Sequence, residues 1–578
     1  MGSEMCIRDS SNSALTDGML NIVSEQALDP NYRANLLSWL DGVDVQDDDE
    51  DNSTTDARQF VGDPLHSRPA IVTYGGTIAS PDTTAYFGTN EGFLHAVNTE
   101  TGAELFSFMP QELLSNAKLL FTNQGTPADH YYGMDGTITA WVNDVNDDRQ
   151  VVAADGDHVY LYAGMRRGGS QYYALDVTDR TNPKLLWTIQ GGAGDFVELG
   201  QTWSQPVKSR VTIGGTTSDV LIFTGGYDEN QDNATTPQND NIGRALYIVD
   251  AFTGARLWWA GPVGSGANLE VADLDNSMPA SPSVIDLGVD GIADHVYIGD
   301  TGGRVWRFNF TNGDPVNTFG SATLLATLGD TDADASNDLE NNRRFYHTPT
   351  VAFKAPLSSQ TLQIAIGSGF HAHPLNQDVH DRFYVLEDTG AINASSMTTI
   401  TESSLFDATS NVIQDGTDDT TISNAVAARN SASGWYLRLE EDSTTQIGEK
   451  ALASATIFAG VLLFTTYLPE NPGATTVAAA CQAAAGFGRA YAVNLDDGTS
   501  VFNFSSTVAG LDKNDRYVQL NHVGIPPEVQ IIIPGGGSGS SKKPVVLVGT
   551  EVIEVKKADG SNGFDELKNE IIFWRDDQ

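Results

Sequence analysis

The sequence predicts an all-β fold, a seven-bladed β-propeller, with a short helical segment in front of it. Short runs of β-branched and aromatic residues repeat along most of the chain, and clusters of Gly, Asn and Asp separate them. Turn-forming residues are abundant, with 57 Gly and 22 Pro among 578 residues. Amphipathic helical spacing is confined to residues 14–40. Together these observations indicate strands almost everywhere and helices only near the start.

The helical segment and an acidic linker occupy residues 11–57. Leu36, Leu37 and Leu40 recur at the spacing of one helical face, and Pro30 interrupts the helical pattern before them. Strand signals are weak throughout this segment, so we expect it to precede the propeller rather than contribute a blade to it.

The linker is marked by its charge. Seven Asp and Glu side chains fall between Asp44 and Asp56. A run of like charges repels itself and stays in contact with water. The sequence therefore predicts a solvated linker, with the run Asp47–Asp51 as its most acidic part.

A repeating unit covers residues 58–578. Each unit has a buried strand that usually ends in Gly, a turn, and a second strand that often ends in Asp or Asn; a Thr-Gly hairpin sometimes follows. One copy reads Val220–Gly225, Ala245–Asp250 and Thr253–Trp258. About seven such units fit, and they resemble quinoprotein-type blades, which bury their apolar faces only by packing around an axis. Insertions on the propeller faces are predicted at 228–242, 310–345 and 470–487.

Composition excludes several partners. The chain has 32 Lys and Arg against 76 Asp and Glu, a formal net charge of −44. Such a chain repels the phosphates of nucleic acids and the surface of anionic lipids. No apolar run reaches the length of about 18 residues that a membrane-spanning helix needs. We therefore expect neither nucleic-acid binding nor a membrane span.

The start of the chain and its two cysteines say little about location. Residues 1–10 have no apolar segment and are typical of foreign sequence joined to the protein, so they are left out of the fold prediction. We expect that the export signal lies upstream of this chain. Cys6 and Cys481 do not fix the redox compartment, since a large core needs no disulfide.

The most specific short motif is a loop with calcium-like spacing. Asp286, Asp290 and Asp294 stand at positions 1, 5 and 9, and a Gly occupies position 6. This is the spacing by which an EF-hand loop wraps oxygen ligands around Ca²⁺, with a backbone carbonyl at position 7, here Ile292.

Two positions depart from the EF-hand pattern. Position 3 is Gly288, which offers no side-chain oxygen, and position 12 is Tyr297 in place of a bidentate Glu. A site of this composition should bind Ca²⁺ with a dissociation constant of roughly 10⁻⁶ to 10⁻³ M. The alternative is a plain hairpin turn, because Asp-Gly is common in hairpins.

Two other acidic loops are less specific. Asp330–Glu340 has acids at positions 1, 3, 5 and 9 but lacks the turn Gly, and Asp144–Asp148 is a weaker match. For both, a solvated loop is the favoured interpretation.

Catalytic patterns are weak. The sequence contains no HExxH, no Gly-x-Ser-x-Gly and no P-loop. Ser67 follows His66 directly, and adjacent residues of an extended chain point to opposite faces, so we predict a structural entry strand there. The remaining conspicuous histidines are predicted to lie in surface loops: His95, His347, His371, His373 and His380.

Four stretches together resemble one family, the C-terminal β-propeller of PilY-type type IV pilus proteins. They are Phe60–Pro69, Tyr86–Ala96, Leu199–Pro206 and Met278–Asp286, the last continuing through the Asp-Gly loop. The resemblance covers about nine-tenths of the chain, roughly residues 57–578, and the motifs are specific only as a set.

The resemblance implies a non-enzymatic protein of the pilus tip and the outer cell surface. Such proteins act with minor pilins in pilus assembly, support twitching motility, and adhere to host or abiotic surfaces. In this family the propeller is a modified seven-bladed one with a bound Ca²⁺ that controls pilus extension against retraction, and the resemblance implies the same here. The family's calcium loop maps onto Asp286, Asp290, Asp294 and the carbonyl of Ile292, while its third ligand falls on Gly288.

Two alternatives remain open on the sequence. A periplasmic quinoprotein oxidoreductase would share the blade pattern, although the adjacent Cys-Cys pair of many quinoprotein alcohol dehydrogenases is missing. A scaffold propeller with purely structural calcium would share the loop.

Overall fold

The structure is a computed structural model. It describes residues 15–123, 130–234, 236–329, 339–356, 358, 360–392, 397–439, 447–469, 486–504, 510–533, 543–557, 561 and 563–564.

Short helices precede and decorate the sheets. The second helix buries Leu36, Leu37 and Trp39 in the same apolar cluster as the first two sheets, so the helical segment packs on the propeller. Among the helices of the described residues, none has the length and apolarity that crossing a bilayer requires. The helices are α1 (Val23–Leu28), α2 (Tyr32–Leu40), α3 (Ala117–Phe121), α4 (Val412–Asp415) and α5 (Asp419–Ser431).

Seven sheets follow one another along the chain, and each is a blade of a β-propeller. Blade 1 contains β1 (Ala70–Thr77), β2 (Ser80–Gly88), β3 (Leu94–Asn98) and β4 (Glu104–Phe108). Blade 2 contains β5 (Ile138–Asn143), β6 (His158–Gly164), β7 (Gln171–Asp176) and β8 (Lys184–Gln190). Blade 3 contains β9 (Val207–Ile213), β10 (Thr216–Thr224), β11 (Leu246–Asp250), β12 (Arg256–Pro262) and β13 (Leu269–Val271).

Blades 4 and 5 each gain a short fifth strand that pairs in parallel with its neighbour. Blade 4 contains β14 (Ser283–Ile285), β15 (His295–Gly299), β16 (Arg304–Phe310), β17 (Gly320–Thr327) and β21 (Ile400–Thr401). Blade 5 contains β18 (Thr350–Phe353), β19 (Leu362–Gly367), β20 (Arg382–Asp388), β22 (Phe406–Asp407) and β23 (Gly434–Arg438).

In the part of the chain that the structure describes, blade 6 has four strands and blade 7 has three. Blade 6 contains β24 (Thr456–Phe458), β25 (Val461–Leu468), β26 (Phe487–Asn494) and β27 (Tyr517–Val523). Blade 7 contains β28 (Val529–Ile532), β29 (Val545–Val548) and β30 (Glu551–Ile553). The predicted seven-bladed propeller with a helical segment ahead of it is confirmed.

The Thr-Gly hairpins owe their shape to side-chain capping. The Asp250 carboxylate accepts hydrogen bonds from the backbone N–H of Phe252 (3.1 Å) and of Thr253 (2.9 Å), and from the Thr253 hydroxyl (2.8 Å). Gly254 then takes a left-handed φ of 70°, which costs a glycine little. Asn98 caps the corresponding turn of blade 1 in the same way.

The core lies between blades. Successive residues of a strand point to opposite faces, so each strand serves two neighbours. In β15, Val296 and Ile298 pack toward blade 3, whereas Tyr297 packs toward blade 5. A strand that is buried on both faces needs apolar residues at consecutive positions, and the repeating unit in the sequence has such runs.

The joint between blade 7 and blade 1 differs from the other six. Apolar clusters of buried residues connect blades 1 to 2, 2 to 3, 3 to 4, 4 to 5, 5 to 6 and 6 to 7. Within the described ranges, no such cluster joins blades 7 and 1. There, Arg68 donates to Glu528 at 2.6 Å.

One predicted insertion is wrong in part. The range 310–345 contains β17, a full strand that pairs with β16. Its sequence, Gly320–Thr327, is rich in small residues, so it lacks the aromatic signal of the other strands. The insertion at 228–242 lies between β10 and β11, as predicted. Most of the range 470–487 lies outside the described residues, as do Cys6 and Cys481.

Candidate metal centre

The predicted calcium loop connects the first two strands of blade 4. Asp286 follows the last residue of β14, and Asp294 precedes the first residue of β15. Phe310 N donates to the Asp294 carbonyl at 2.8 Å, and Ala293 N donates to the Arg210 carbonyl at 2.9 Å. The end of the loop is thereby fixed to both blade 4 and blade 3.

Backbone N–H groups of the loop are held by its own carboxylates. The two Asp286 oxygens accept from the N–H of Asp290 (3.3 Å) and of Gly291 (2.7 Å). An Asp290 oxygen accepts from the N–H of Ile292 at 3.0 Å. These bonds wrap the chain around position 1 of the loop. Asp side chains make such local turns readily.

The other end of the loop closes in the same manner. One Asp294 oxygen accepts from the N–H of Leu287 (2.8 Å) and of Gly288 (3.2 Å). The wrap requires left-handed backbone at Val289 (φ 54°) and at Gly291 (φ 78°). The position-6 Gly therefore serves the turn that the sequence assigned to it.

The oxygen atoms of this loop are of the type that binds a hard cation, but the distances between its carboxylates are too long for all of them to bind one ion. A carboxylate has about four lone-pair sites, and each of these three uses at most two for the loop backbone, so capacity for a cation remains. Position 7 also supplies the Ile292 carbonyl. Their oxygens, however, do not all lie within 4.8 Å of one another. The assignment of Asp286, Asp290, Ile292 and Asp294 as ligands stays a prediction.

Gly288 leaves the third position of the loop open. A β-carbon built on Gly288 would lie 3.5 Å from the carboxyl carbon of Asp290, an ordinary van der Waals contact. A side chain there would therefore extend beside the Asp290 carboxylate. The loop lacks one ligand, but its backbone already has a place for it.

A second acidic group was missed by the sequence interpretation. Ligand oxygens of Asp47, Asp49 and Asp51 all lie within 4.8 Å of one another, although two of the three side chains are exposed. The Asp51 N–H lowers the pKa of Asp49, but desolvation and the charges of Asp51, Asp56 and Asp44 outweigh it and raise that pKa. The signal was present as an Asp-x-Asp-x-Asp spacing hidden inside the acidic run.

This segment is more ordered than a solvated linker. Asp44 is 2% exposed, and its carboxylate accepts twice from the N–H of Asp48 at 3.0 Å. Asp44 N donates to the Asp56 carbonyl at 3.0 Å, and Arg58 N donates to the Gly42 carbonyl at 2.7 Å. The acids thus follow a closed loop.

The remaining acidic loops can be placed as well. Asp144 accepts from the N–H of Asp148 (3.3 Å) and of Arg149 (2.7 Å), so this loop is wrapped like the one at Asp286. Residues 330–338 lie outside the described ranges, and the second calcium candidate at Asp330–Glu340 lies mostly with them.

The surface-loop prediction for the histidines is wrong for three of them, His95, His347 and His371. His347 and His371 are partly buried, and their ring nitrogens Nε2 and Nδ1 lie 3.2 Å apart. His371 also contacts Arg166, 205 residues away in the chain. Convergence over such a distance leaves no local sequence signal.

Three other sequence assignments can be compared with the structure. His95 lies in strand β3, not in a loop, and contacts Glu104 at 2.6 Å. The Ser67 hydroxyl accepts from Gly88 N at 2.8 Å, a structural role, while His66 contacts Asp135 instead.

Comparison with known proteins finds a matching family model, similar sequences and a similar solved structure. Residues 53–324 match the family model described as the PilY1 beta-propeller domain, and this range includes the loop at Asp286. A type IV pilus biogenesis factor PilY1 homolog of Xylella fastidiosa is 27% identical over 387 residues, 67% of this chain. The type IV pilus biogenesis factor PilY1 of Pseudomonas aeruginosa PAO1 is 30% identical over 300 residues, 48% of this chain.

The chain spans about a quarter of those relatives: 27% of the Xylella protein and 23% of the Pseudomonas protein. Among solved structures, the C-terminal domain of Pseudomonas aeruginosa PilY1 matches with a TM-score of 0.54 at 20% identity. That match covers 82% of this chain and 92% of the solved one. The predicted resemblance to the PilY-type propeller is confirmed.

Proposed function

Because its propeller is of the PilY1 type, we propose that this chain acts as a non-enzymatic type IV pilus biogenesis factor. The observation that carries the proposal is the match of residues 53–324 to the PilY1 beta-propeller domain, with relatives that are named pilus biogenesis factors. In this proposal the protein acts with minor pilins at the pilus tip, outside the cell, and supports assembly, twitching motility and adhesion to host or abiotic surfaces.

The proposal includes a calcium site in blade 4. Asp286, Asp290, Asp294 and the carbonyl of Ile292 would hold Ca²⁺, which supplies positive charge to the three carboxylates of the loop. Without the ion, these carboxylates repel one another and rely on backbone N–H groups of the loop. Binding would reduce that repulsion and order the loop, changing the surface presented by the end of blade 4.

The pilus role is tested in the organism that makes the protein. Deletion of the gene should abolish or strongly reduce surface pili, and the protein should appear in the sheared pilus fraction of the wild type. Restoring the gene with Asp290→Ala should return pili but alter the balance of extension and retraction, seen as changed twitching zones.

Three outcomes would contradict the proposal or a part of it. Normal piliation and motility in the deletion strain would remove the pilus role. Dye-linked oxidation of an alcohol or a sugar by the protein, after reconstitution with pyrroloquinoline quinone and Ca²⁺, would favour the quinoprotein alternative. A change in stability with calcium, but none in piliation or partner binding, would instead favour a scaffold with structural calcium.

A further inference from the structure

A group of polar and aromatic side chains converges near the propeller axis, on the face opposite the calcium loop. Its members either precede the first strand of a blade or lie between the second and third strands, which places them at the same end of the sheets. They come from blades 1, 2, 3 and 5, so only the closed ring brings them together. We call this group the axial cluster: His66, Asp135, Arg166, Arg167, Trp203, His347 and His371.

A hydrogen-bonded chain runs through the axial cluster. His66 Nδ1 contacts both Asp135 oxygens, at 2.8 and 2.9 Å. Arg166 donates through Nη1 to Asp135 (3.4 Å) and through Nη2 to His371 Nε2 (3.2 Å). His371 Nδ1 lies 3.2 Å from His347 Nε2.

The chain of contacts fixes where the protons are. A guanidinium only donates, so His371 Nε2 must be the acceptor and its Nδ1 carries the hydrogen. That hydrogen is donated to His347 Nε2, which leaves the hydrogen of His347 on Nδ1. Neutral His347 therefore offers an N–H donor near Arg166.

The two arginines of the cluster are each paired with an aspartate, Arg166 with Asp135 and Arg167 with Asp232. Burial, followed by the charges of Arg166 and Arg68, lowers the pKa of His347 to about 3. Burial lowers the pKa of Arg166 to about 10, with Arg167 adding to the effect and Asp135 opposing it. An anion here would be recognised chiefly by Arg166, whose single contact with Asp135 is long, at 3.4 Å.

The two arginines differ in how their charge is matched. Arg167 donates to both oxygens of Asp232, at 2.9 and 3.1 Å. Arg166 has one long contact with Asp135, whose oxygens are shared with His66. Of the five N–H groups of a guanidinium, Arg166 uses two toward described acceptors. The remaining donors are those that a ligand could meet.

One aromatic ring covers the Arg166 guanidinium, and another stacks on the neighbouring His66. The guanidinium lies 4.1 Å from the ring centre of Trp203, and Tyr132 stacks on His66 with ring centres 6.4 Å apart. The side chains of His66 and Arg166 keep 27% and 13% of their surface exposed, so the place is reachable from solvent.

We infer that the axial cluster binds a small planar carboxylate, with the Arg166 guanidinium and the His347 Nδ1–H as donors and the rings as walls. A guanidinium presents paired N–H groups that match the two oxygens of a carboxylate. The carboxylate could belong to a free acid or to a side chain or terminus of a partner protein, since the recognising chemistry is the same.

The test uses benzoate as the probe and benzamide as its neutral isostere, each titrated calorimetrically into the full chain. Benzoate should bind and benzamide should bind at least about tenfold more weakly, because it lacks the charge that Arg166 recognises. Arg166→Gln should weaken benzoate about tenfold or more, and Arg166→Lys, which keeps the charge without the fork, should weaken it less.

Arg256→Gln is the matched control. Arg256 also stacks on an indole, 5.1 Å from the ring centre of Trp259, and is also paired with an Asp, but it lies on the outer strands of blade 3. Its loss should leave benzoate affinity unchanged. Crystals soaked in 4-bromobenzoate should show the bromine signal beside Arg166, which tests the site on the unaltered chain.

The inference is overturned if benzoate does not bind, if benzamide binds equally well, or if the bromine lies elsewhere. To separate the two sources of carboxylate, minor pilins are captured on the chain with and without saturating benzoate. Competition indicates a partner's carboxylate, and unchanged capture together with benzoate binding indicates a free acid.

Discussion

The loops at Asp286 and Asp144 have nearly the same backbone and different side chains. In both, the first Asp accepts from the N–H of position 5 at 3.3 Å and of position 6 at 2.7 Å. In both, position 5 accepts from the N–H of position 7, at 3.0 Å in one and 2.8 Å in the other. Left-handed backbone at positions 4 and 6 is common to the two loops.

The loops at Asp286 and Asp144 differ in their side chains. Position 6 is Gly291 in one loop and Arg149 in the other, and position 9 is Asp294 in one and Val152 in the other. In the Asp144 loop, position 9 has no carboxylate, and its N–H donates to the carboxylate of Asp157, which lies later in the chain. Local Asp turns are thus enough to produce the calcium-like backbone, and we predict that the carboxylate at position 9 is what makes the Asp286 loop the stronger cation site.

The largest expected effect is on calcium affinity. Asp290→Ala should weaken calcium binding roughly 100-fold, about 2.7 kcal/mol, because it removes one of three charged ligands. Asp148→Ala removes the corresponding residue of the other loop and should change the isotherm little. Calorimetry is run in an Asp49→Asn/Asp51→Asn background, so that the acidic group before the propeller contributes no heat. Equal effects of the two alanine variants would contradict the assignment.

Acid should affect the axial cluster. The pKa of His347 is lowered in the folded chain to about 3, so the unfolded chain takes up this proton first as pH falls below about 6.5. Above about pH 6.5, His347 is neutral in both states and the free energy of unfolding keeps its full value. As pH falls from 6.5 toward 3, this free energy decreases, by at most about 2 kcal/mol at pH 5.

Chemical denaturation at pH 7.5 and pH 5 measures this loss. His347→Gln should show a smaller difference between the two pH values than the wild type. The same difference in both proteins would show that His347 is not the group responsible.

Adding the missing ligand should strengthen the calcium loop. Gly288→Asp places a carboxylate beside Asp290, where a β-carbon meets only ordinary contacts. Calcium should bind about tenfold more tightly, or about 1.4 kcal/mol. Gly288→Ala, which adds the β-carbon without the charge, is the control in the same titration. Unchanged affinity for the Asp variant would show that position 3 does not face the ion.

The smallest effect concerns backbone strain. Gly291 has a φ of 78° with open space around a would-be β-carbon, so Gly291→Ala should cost only the left-handed strain, about 1 kcal/mol. Arg149→Gly is the reverse change at φ 65° and should be stabilising or neutral. Melting temperatures without calcium measure both, and a loss of stability on Arg149→Gly would contradict this account.

The propeller could be predicted because each blade carries its own signal. A strand such as Val220–Gly225, buried on both faces, and a capped turn such as the one at Asp250 are local features. β17 was missed because its small residues carry a weak strand signal. The axial cluster could not be predicted, since Arg166 and His371 meet only when blades 2 and 5 are placed around one axis. The Asp-x-Asp-x-Asp spacing of Asp47, Asp49 and Asp51 is visible in the sequence, but the acidic residues around it make it look like an ordinary charged run.

We expect the propeller to open first at the joint between blades 7 and 1. Among the described residues, six joints contain clusters of buried apolar side chains, which resist salt. At the joint of blades 7 and 1 the described contact is the ion pair between Arg68 and Glu528, which lies partly in solvent and is screened by salt. Tension or rising ionic strength should therefore separate these two blades before any others. In amide hydrogen exchange at rising salt, β28 and β1 would lose protection first, and this joint would act as the hinge at which the ring opens.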